Sequence, residues 1–380
     1  MRLQLDEDHR MLRENVRDFA ESEVRPRAAE YDRTREFPLR ELRKAAELGL
    51  TGVMIPEEFG GAGMDCLSYV LVIEEISRVD ASLGVILSVN NSLYCHPIAT
   101  FGTPEQKKKY LAPFASGEKL GCYCLTEPDS GSDAGSLRTQ ARRSGDRWIL
   151  NGSKVFVTNG VAADAAIIYA KTDPKAPSSK GISAFIVEKG FEGYHTGKTE
   201  TKLGITSSGS VEIVLENCEV PESNVLGEVD GGFRIALHTL DGGRIGIAAQ
   251  AVGIGQGAFE EALRYSKERK QFGVPIASHQ AIQFYLADMA TDLDAARLLT
   301  YRAARARDTQ ERYTLEASMA KLYASEMCNR VAYKAVQIFG GYGYINEYPV
   351  ERYFRDARIC ELYEGTSEIQ RLVISGHILK

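Results

Sequence analysis

The sequence predicts an α+β chain of three domains: a helical unit, a β unit, and a second helical unit. Three observations carry this. Apolar residues recur at helical spacing at both ends, a block of short β-type runs lies between about Gly121 and Val225, and 380 residues suffice for two or three domains with cores of their own. The composition shifts place the borders at 1–118 (N-terminal all-α), 119–226 (middle β-barrel) and 227–380 (C-terminal α-helical bundle).

In the first unit, Leu5 to Val24, Leu39 to Leu48 and Leu67 to Val79 keep helical spacing, and Pro26, Pro38, Pro56 and Gly60-Gly61-Ala62-Gly63 mark the turns. Ala81 to Pro104 runs 24 residues without a charge, long enough for a bilayer. Asn90-Asn91, His96 and Pro97 interrupt it, so it reads as a buried helix plus a loop, and no membrane span is expected. The middle unit carries Trp148-Ile-Leu, Lys154-Val-Phe-Val-Thr, Ala166-Ile-Ile-Tyr-Ala, Ile182-Ser-Ala-Phe-Ile-Val and Val211-Glu-Ile-Val-Leu. No helical pattern alternates with these runs, which favours a compact sheet or barrel over a parallel βαβ sheet. After Asp230 the helical period returns. Ile282, Leu286, Met289 and Leu293 share one helix face, and Ala324, Cys328, Val331, Ala335 and Ile338 share another, as in a helical bundle.

Charge and composition exclude several functions. Lys+Arg total 46 against 52 Asp+Glu, a formal charge of -6 with no long basic run, which argues against nucleic-acid binding. The seven cysteines lack CxxC or zinc spacing and read as reduced thiols. Cys122-Tyr-Cys124 is read with one thiol facing the core and the other away, a poor metal pair, and none of the six His stands at ligand spacing from another. Met1-Arg-Leu-Gln-Leu has neither an export signal nor transit-peptide character, so a cytoplasmic location is expected, or the mitochondrial matrix for a processed form. Gly253-Ile-Gly255-Gln-Gly257-Ala258 satisfies a dinucleotide-binding string, but a small-residue helical stretch precedes it where a strand is needed. It reads as a helix with glycines for close packing.

Glycine is in surplus, 35 of 380 against a usual ~7%. Three glycine-rich segments look like backbone-to-ligand contacts. Tyr123 to Asp133 offers the hydroxyls of Thr126, Ser130 and Ser132 around Gly131. Gln337-Ile-Phe-Gly340-Gly341-Tyr-Gly343-Tyr ends a helix, where glycines serve equally as a cap or as a ligand contact. In Tyr363-Glu364-Gly365-Thr366-Ser367-Glu368-Ile369-Gln370-Arg371, Ser367-x-x-Gln370 reads as a capping box, opening a helix whose N-terminus suits an anion. Glu364 just before it either favours the helix dipole or serves as a general base.

These segments, in this order, resemble the acyl-CoA dehydrogenase family over essentially the whole chain. Further stretches agree: Leu125-Thr-Glu-Pro with Gly131-Ser-Asp, Thr239-Leu-Asp-Gly-Gly-Arg-Ile-Gly-Ile-Ala, Arg269-Lys-Gln-Phe-Gly and Arg355-Asp-Ala-Arg. Ser88-Val-Asn-Asn-Ser-Leu-Tyr94 is similar to the short-chain, butyryl-CoA branch. The resemblance implies a homotetramer with a C-terminal four-helix bundle, in which Glu364 removes the C2 proton of an acyl-CoA while hydride leaves C3 for N5 of FAD. The thioester oxygen would be held by the backbone N–H at the base position and by a flavin hydroxyl. Some relatives carry the base directly before the arginine of the LDxxR stretch, and that position is Gly243 here.

For FAD the resemblance implies Tyr123, Leu125, Thr126, Ser132, Phe156, Val157 and Thr158 along the ring. Arg269, Phe272, Gln280, Gln337, Ile338, Gly340 and Gly341 would hold the pyrophosphate and adenosine, partly across a subunit boundary, and Thr366 and Glu368 would meet the phosphates. For CoA it implies Ser132, Asp241, Arg244 and Gly365. Electrons would pass to electron-transfer flavoprotein. A short neutral acyl group is favoured, since no Lys or Arg lies between Val79 and Gln106 to pair a second carboxylate. Short branched or cyclic acyl groups are the alternative within the family. A non-catalytic flavin or acyl-CoA-binding protein, or a nitroalkane oxidase, is the alternative outside it. Three departures stand out: Phe156 where Trp is frequent, Thr206 where Arg is common, and Asp129 in place of a Gly.

Overall fold

The computed structural model describes residues 5–380. Helices occupy the chain up to Ala115, strands run from Gly121 to Leu226, and helices return at Gly232. The labels used below are α1 (Glu7–Phe19), α2 (Cys66–Ser77), α3 (Ala81–Ser88), α4 (Gly232–Glu268), α5 (Gln280–Thr309), α6 (Thr314–Phe339) and α7 (Ser367–Ile378).

The two helical units share one core. Val16 and Phe19 of α1, all the apolar residues of α2, and the small-residue faces of α4 and α6 form a single buried cluster. The glycines of the dinucleotide-like string lie inside α4, where Cβ atoms at Gly253 and Gly257 would strike the Glu74 and Arg78 carbonyls. They let α4 pack backbone-to-backbone on α2, as the helical reading requires.

The uncharged stretch from Ala81 does not break into a loop. α3 continues through a π-helical turn, Val89–Cys95, into a helix over His96–Phe101. Asn90 and Asn91, read as interruptions, are instead fully buried connectors. Asn90 Nδ2 donates to Thr51 O (2.9 Å) and Phe114 O (3.0 Å), and its Oδ1 accepts from Gly121 N (3.0 Å). Asn91 donates to Leu50 O and Leu87 O and accepts from Val53 N. Their amides satisfy backbone groups that helix and loop leave open, which is why polar residues sit in an apolar segment.

The middle unit is one eight-stranded sheet of β1 (Gly121–Cys124), β2 (Gln140–Ser144), β3 (Arg147–Val157), β4 (Ala165–Lys171), β5 (Ile182–Glu188), β6 (Tyr194–Thr199), β7 (Val211–Pro221) and β8 (Val225–Leu226). Its order is β6-β7-β3-β2-β4-β5-β8, with β1 paired in parallel to β4. A single residue pair, Gln140 with Lys171, joins its two halves. There the sheet folds onto itself, so that Trp148 of β3 meets Phe185 of β5 edge-on at 5.7 Å across the interior. The barrel is therefore open, its end strands β6 and β8 not paired to each other. Cys122 and Cys124 both point into this interior with sulfurs 4.0 Å apart. That corrects the expectation that they diverge, because residues two apart on a strand share a face.

The loop after β6 is clamped between the helical units. Thr206 Oγ1 donates to Asp32 O and Oδ1 (2.8 and 2.9 Å), Arg355 pairs with Asp32 (2.6 Å), and Ile205 N donates to Asp356 (2.5 Å). The Thr206 departure thus keeps a partner. Asp129 likewise pairs with Arg138 at 2.8 Å on the surface.

Candidate active site

Glu364 sits in the two-residue turn before α7, with φ +53°, followed by Gly365 at φ +92°. Two successive left-handed residues reverse the chain and send the carboxylate back toward α4. Only the second is a glycine, so the first costs about 1–2 kcal/mol that surrounding contacts must offset. Gln370 Nε2 donates to both Glu364 O (3.2 Å) and Gly365 O (3.0 Å), the Lys321 ammonium donates to Gly365 O (2.7 Å), and Tyr363 OH bonds Gln250 of α4. The cap of α7 lies one residue earlier than the sequence suggested. Thr366 accepts from Ile369 N (3.3 Å), while the Ser367 hydroxyl has no partner and Gln370 secures the turn instead of the cap.

The carboxylate itself is withheld from every partner. Its Oε2 is buried and makes no hydrogen bond. Burial pushes its pKa up to about 7, against the opposing pull of Lys321 and then Arg244. A Cβ at Gly243 would land on that same Oε2, with Leu93 also in contact. A side chain at position 243 and the Glu364 carboxylate would therefore compete for one spot, and glycine leaves it to the carboxylate. Arg244 is buried and bound to Asp241 (2.8 Å) and Ser318 (3.3 Å), with its Nε unpartnered. Asp241 also accepts from Thr314 (2.6 Å).

The sheet meets this niche at the ends of β1 and β3. Val155 N donates to Thr126 O (2.9 Å), tying the two ends together beside Leu125, Val157 and Thr158. Phe156 has φ +59° and is 68% exposed, an aromatic ring presented outward on a strained residue. The Tyr123 hydroxyl is buried without a partner, next to Tyr169 and near enough to Glu364 to feel its charge. Ser132 is exposed on the rim beyond Gly131. Lys154, completely buried, donates to Glu127 (2.7 Å), which also accepts from the backbone of Arg138 and Thr139 and so braces the segment after β1.

The remaining expected residues lie elsewhere. Arg269, Ile338, Gly340 and Gly341 line a cleft of about 420 Å³ where α4 and α6 end, with Arg269 over the Tyr342 ring at 5.4 Å. Gln280, Gln337 and Phe272, the last 94% exposed, stand at the same end. Gly340 does cap α6, with φ +60°, while Gly341 faces open space. Along α4, Arg269 is 26 residues from Gly243, about 39 Å at 1.5 Å per residue.

Sequence reasoning missed Lys321 and read Gln370 as a capping-box partner rather than a brace for the turn. A signal existed for Lys321: continuing the 4-3-4-3 stripe of α6 back from Ala324 gives Lys321 and Ala317, placing one lysine on an otherwise apolar face.

An exposed aromatic ledge, an unpartnered tyrosine hydroxyl and an open glycine cleft fit a flavin dinucleotide, and the withheld carboxylate fits proton removal from carbon. The fold and site together define a three-domain flavin oxidoreductase. The chain belongs to the acyl-CoA dehydrogenase family: the N-terminal, middle and C-terminal domain models of that family match residues 6–118, 122–218 and 230–379. It is 52% identical over 378 residues to the mitochondrial short-chain specific acyl-CoA dehydrogenase of Mus musculus, covering 100% of this chain and 92% of that one. The solved structure of butyryl-CoA dehydrogenase from Megasphaera elsdenii superposes with a TM-score of 0.98 at 44% identity, covering both chains completely. A chain from the structure described as the electron transferring flavoprotein of Acidaminococcus fermentans also gives 0.98, at 49% identity and full coverage of both. Among the described residues, no helix is long and apolar enough to cross a membrane, and no cluster of His, Cys, Asp or Glu could hold a metal ion.

Proposed function

We infer that this protein is an FAD-dependent dehydrogenase of short-chain acyl-CoA thioesters, with butyryl-CoA as the model substrate, the trans-2-enoyl-CoA as product and electron-transfer flavoprotein as electron acceptor. The observation that carries the mechanism is the partnerless, buried Oε2 of Glu364 above Gly243. A carboxylate with one oxygen buried and given no hydrogen bond is a stronger base than one in solution, and with a pKa of about 7 it is poised near neutrality. Bound FAD supplies the hydride acceptor.

The chain's own residues do the rest. Glu364 takes the C2 proton, and its backbone N–H faces the thioester oxygen where negative charge develops. Asp241, Arg244, Gly365 and Ser132 line the path of the CoA arm. Tyr123, Leu125, Thr126, Ser132, Phe156, Val157 and Thr158 hold the ring. Arg269, Phe272, Gln280, Gln337, Ile338, Gly340 and Gly341 serve the pyrophosphate and adenosine, partly across a subunit boundary, with Thr366 and Glu368 at the helix start. The 39 Å separation along α4 supports this division between copies within a homotetramer. A short acyl tail suits the wall behind the niche, where Leu93 abuts Gly243 and Tyr69 and Ser88 hydrogen-bond each other (2.8 Å) against Gly246.

The same reading takes the chain as three units bounded at 118/119 and 226/227, in the cytoplasm, where its seven free thiols stay reduced. The test is anaerobic mixing of the purified flavoprotein with linear acyl-CoAs of increasing length and with branched ones. Butyryl-CoA should bleach the flavin fastest. A preference for long-chain or branched substrates would overturn the assignment.

A further inference from the structure

We propose that Lys321 is a positioning residue for the reaction: by gripping the Gly365 carbonyl, its ammonium holds the left-handed turn that aims Glu364 at Gly243 and supplies the uncommitted positive charge facing the carboxylate. This rests on the reading of Glu364 as the base. The Lys321 side chain has no solvent exposure and lies on the stripe of α6 otherwise formed by Ala317, Ala324, Cys328 and Val331. Packing alone would be served there by an apolar residue, since burying an ammonium is costly unless it is used. Among the described residues its nitrogen has one hydrogen-bond partner, Gly365 O at 2.7 Å.

Three side chains from three helices secure the turn: Lys321 from α6, Gln370 from α7, and Gln250 of α4 through Tyr363. Only Lys321 brings charge. The groups facing Glu364 are Lys321, Arg244 of α4, and the phenols of Tyr69, Tyr123 and Tyr363. Those facing Lys321 are Glu364, Arg244 and the thiols of Cys328 and Cys360. Arg244 is already bound to Asp241, so its charge is largely spent locally. Burial lowers the Lys321 ammonium to about 8 and raises Glu364 to about 7, so the two are charged together only in a narrow window near neutral pH.

The experiment measures, across pH, the anaerobic rate of flavin reduction per bound flavin and the exchange of the acyl C2 proton with deuterated solvent. The proteins are wild type, Lys321→Met, Lys321→Gln and Glu364→Gln. Lys321→Met should lower the limiting rate and the exchange about tenfold to a hundredfold, with KM within about threefold. It should also move the ascending limb to higher pH by roughly one unit, because a cation that favoured the carboxylate form is gone. Lys321→Gln, which keeps a donor without charge, should shift the limb similarly but lose less rate, and it carries the same test if Lys321→Met does not assemble. Lys321 variants with the wild-type limb and limiting rate would overturn the proposal, as would a loss confined to flavin content. Glu364→Gln separates the two readings. If it remains fast, the base assignment has failed; if it is dead while the Lys321 variants match wild type, only the role of Lys321 has failed.

Discussion

The two poles of this chain are built on opposite plans. At Glu364 the protein closes in: four side chains from three helices and their turn position one carboxylate, whose Oε2 is buried without a partner. At the ends of α4 and α6 the protein opens out, with Arg269 about 39 Å along α4 from Gly243, Phe272 almost fully exposed and Gly341 facing empty space. The closed pole creates reactivity by desolvation and needs its own chain's packing. The open pole presents backbone, cation and aromatic surface, which the proposed function assigns to another copy's cofactor. Reactivity and cofactor grip are thus separable by mutation.

The largest effect should come from the closed pole. Glu364→Gln should slow flavin reduction by about 10³-fold or more while leaving flavin bound, as rapid-reaction spectroscopy of the holoenzyme would show. The same substitution should stabilise the fold. Because burial raises the Glu364 pKa from 4.5 to about 7, the native state holds an extra proton between those values, and stability falls as pH rises through that window. Glu364→Gln removes this loss, so its melting temperature should exceed that of wild type at pH 8, by the equivalent of up to about 3 kcal/mol, with the gap closing toward pH 4.5. Next comes Gly243→Ala, whose methyl group would displace the carboxylate. It should cost about a hundredfold in kcat/KM without changing flavin content. The smallest effect belongs to the open pole: Arg269→Glu should weaken flavin retention tenfold or more, read by ultrafiltration, and leave the reduction rate of the remaining holoenzyme near wild type.

The two poles also differ in how far sequence reasoning reached them. Gly243 and Arg269 were picked out only by the family resemblance, while glycine segments singled out the stretches around Glu364 and Gly340-Gly341, because turns and caps are local patterns. The α, β, α order was legible for the same reason. Lys321 was passed over and Gln370 was given a capping role, because their contacts arise where α6 and α7 meet the turn, and no local pattern marks a hydrogen bond to the Gly365 carbonyl. Asn90 and Asn91 were misread as breaks in a helix for a related cause: an asparagine disfavours a helix by propensity but is welcome where it satisfies buried backbone. The open barrel was legible as a set of strands, while its single-pair junction at Gln140 and Lys171 depends on how the sheet folds over Trp148 and Phe185.

The central claim is that each working site joins the closed pole of one chain to the open pole of another, and subunit complementation tests it most directly. Glu364→Gln and Arg269→Glu are each impaired alone. Co-expressed and purified as mixed oligomers, they should regain butyryl-CoA dehydrogenation, because a mixed pair contains one site with Glu364 from the Arg269→Glu chain and Arg269 from the Glu364→Gln chain. Activity no higher than the sum of the two variants would mean that both poles serve the same chain's cofactor, and would contradict the account.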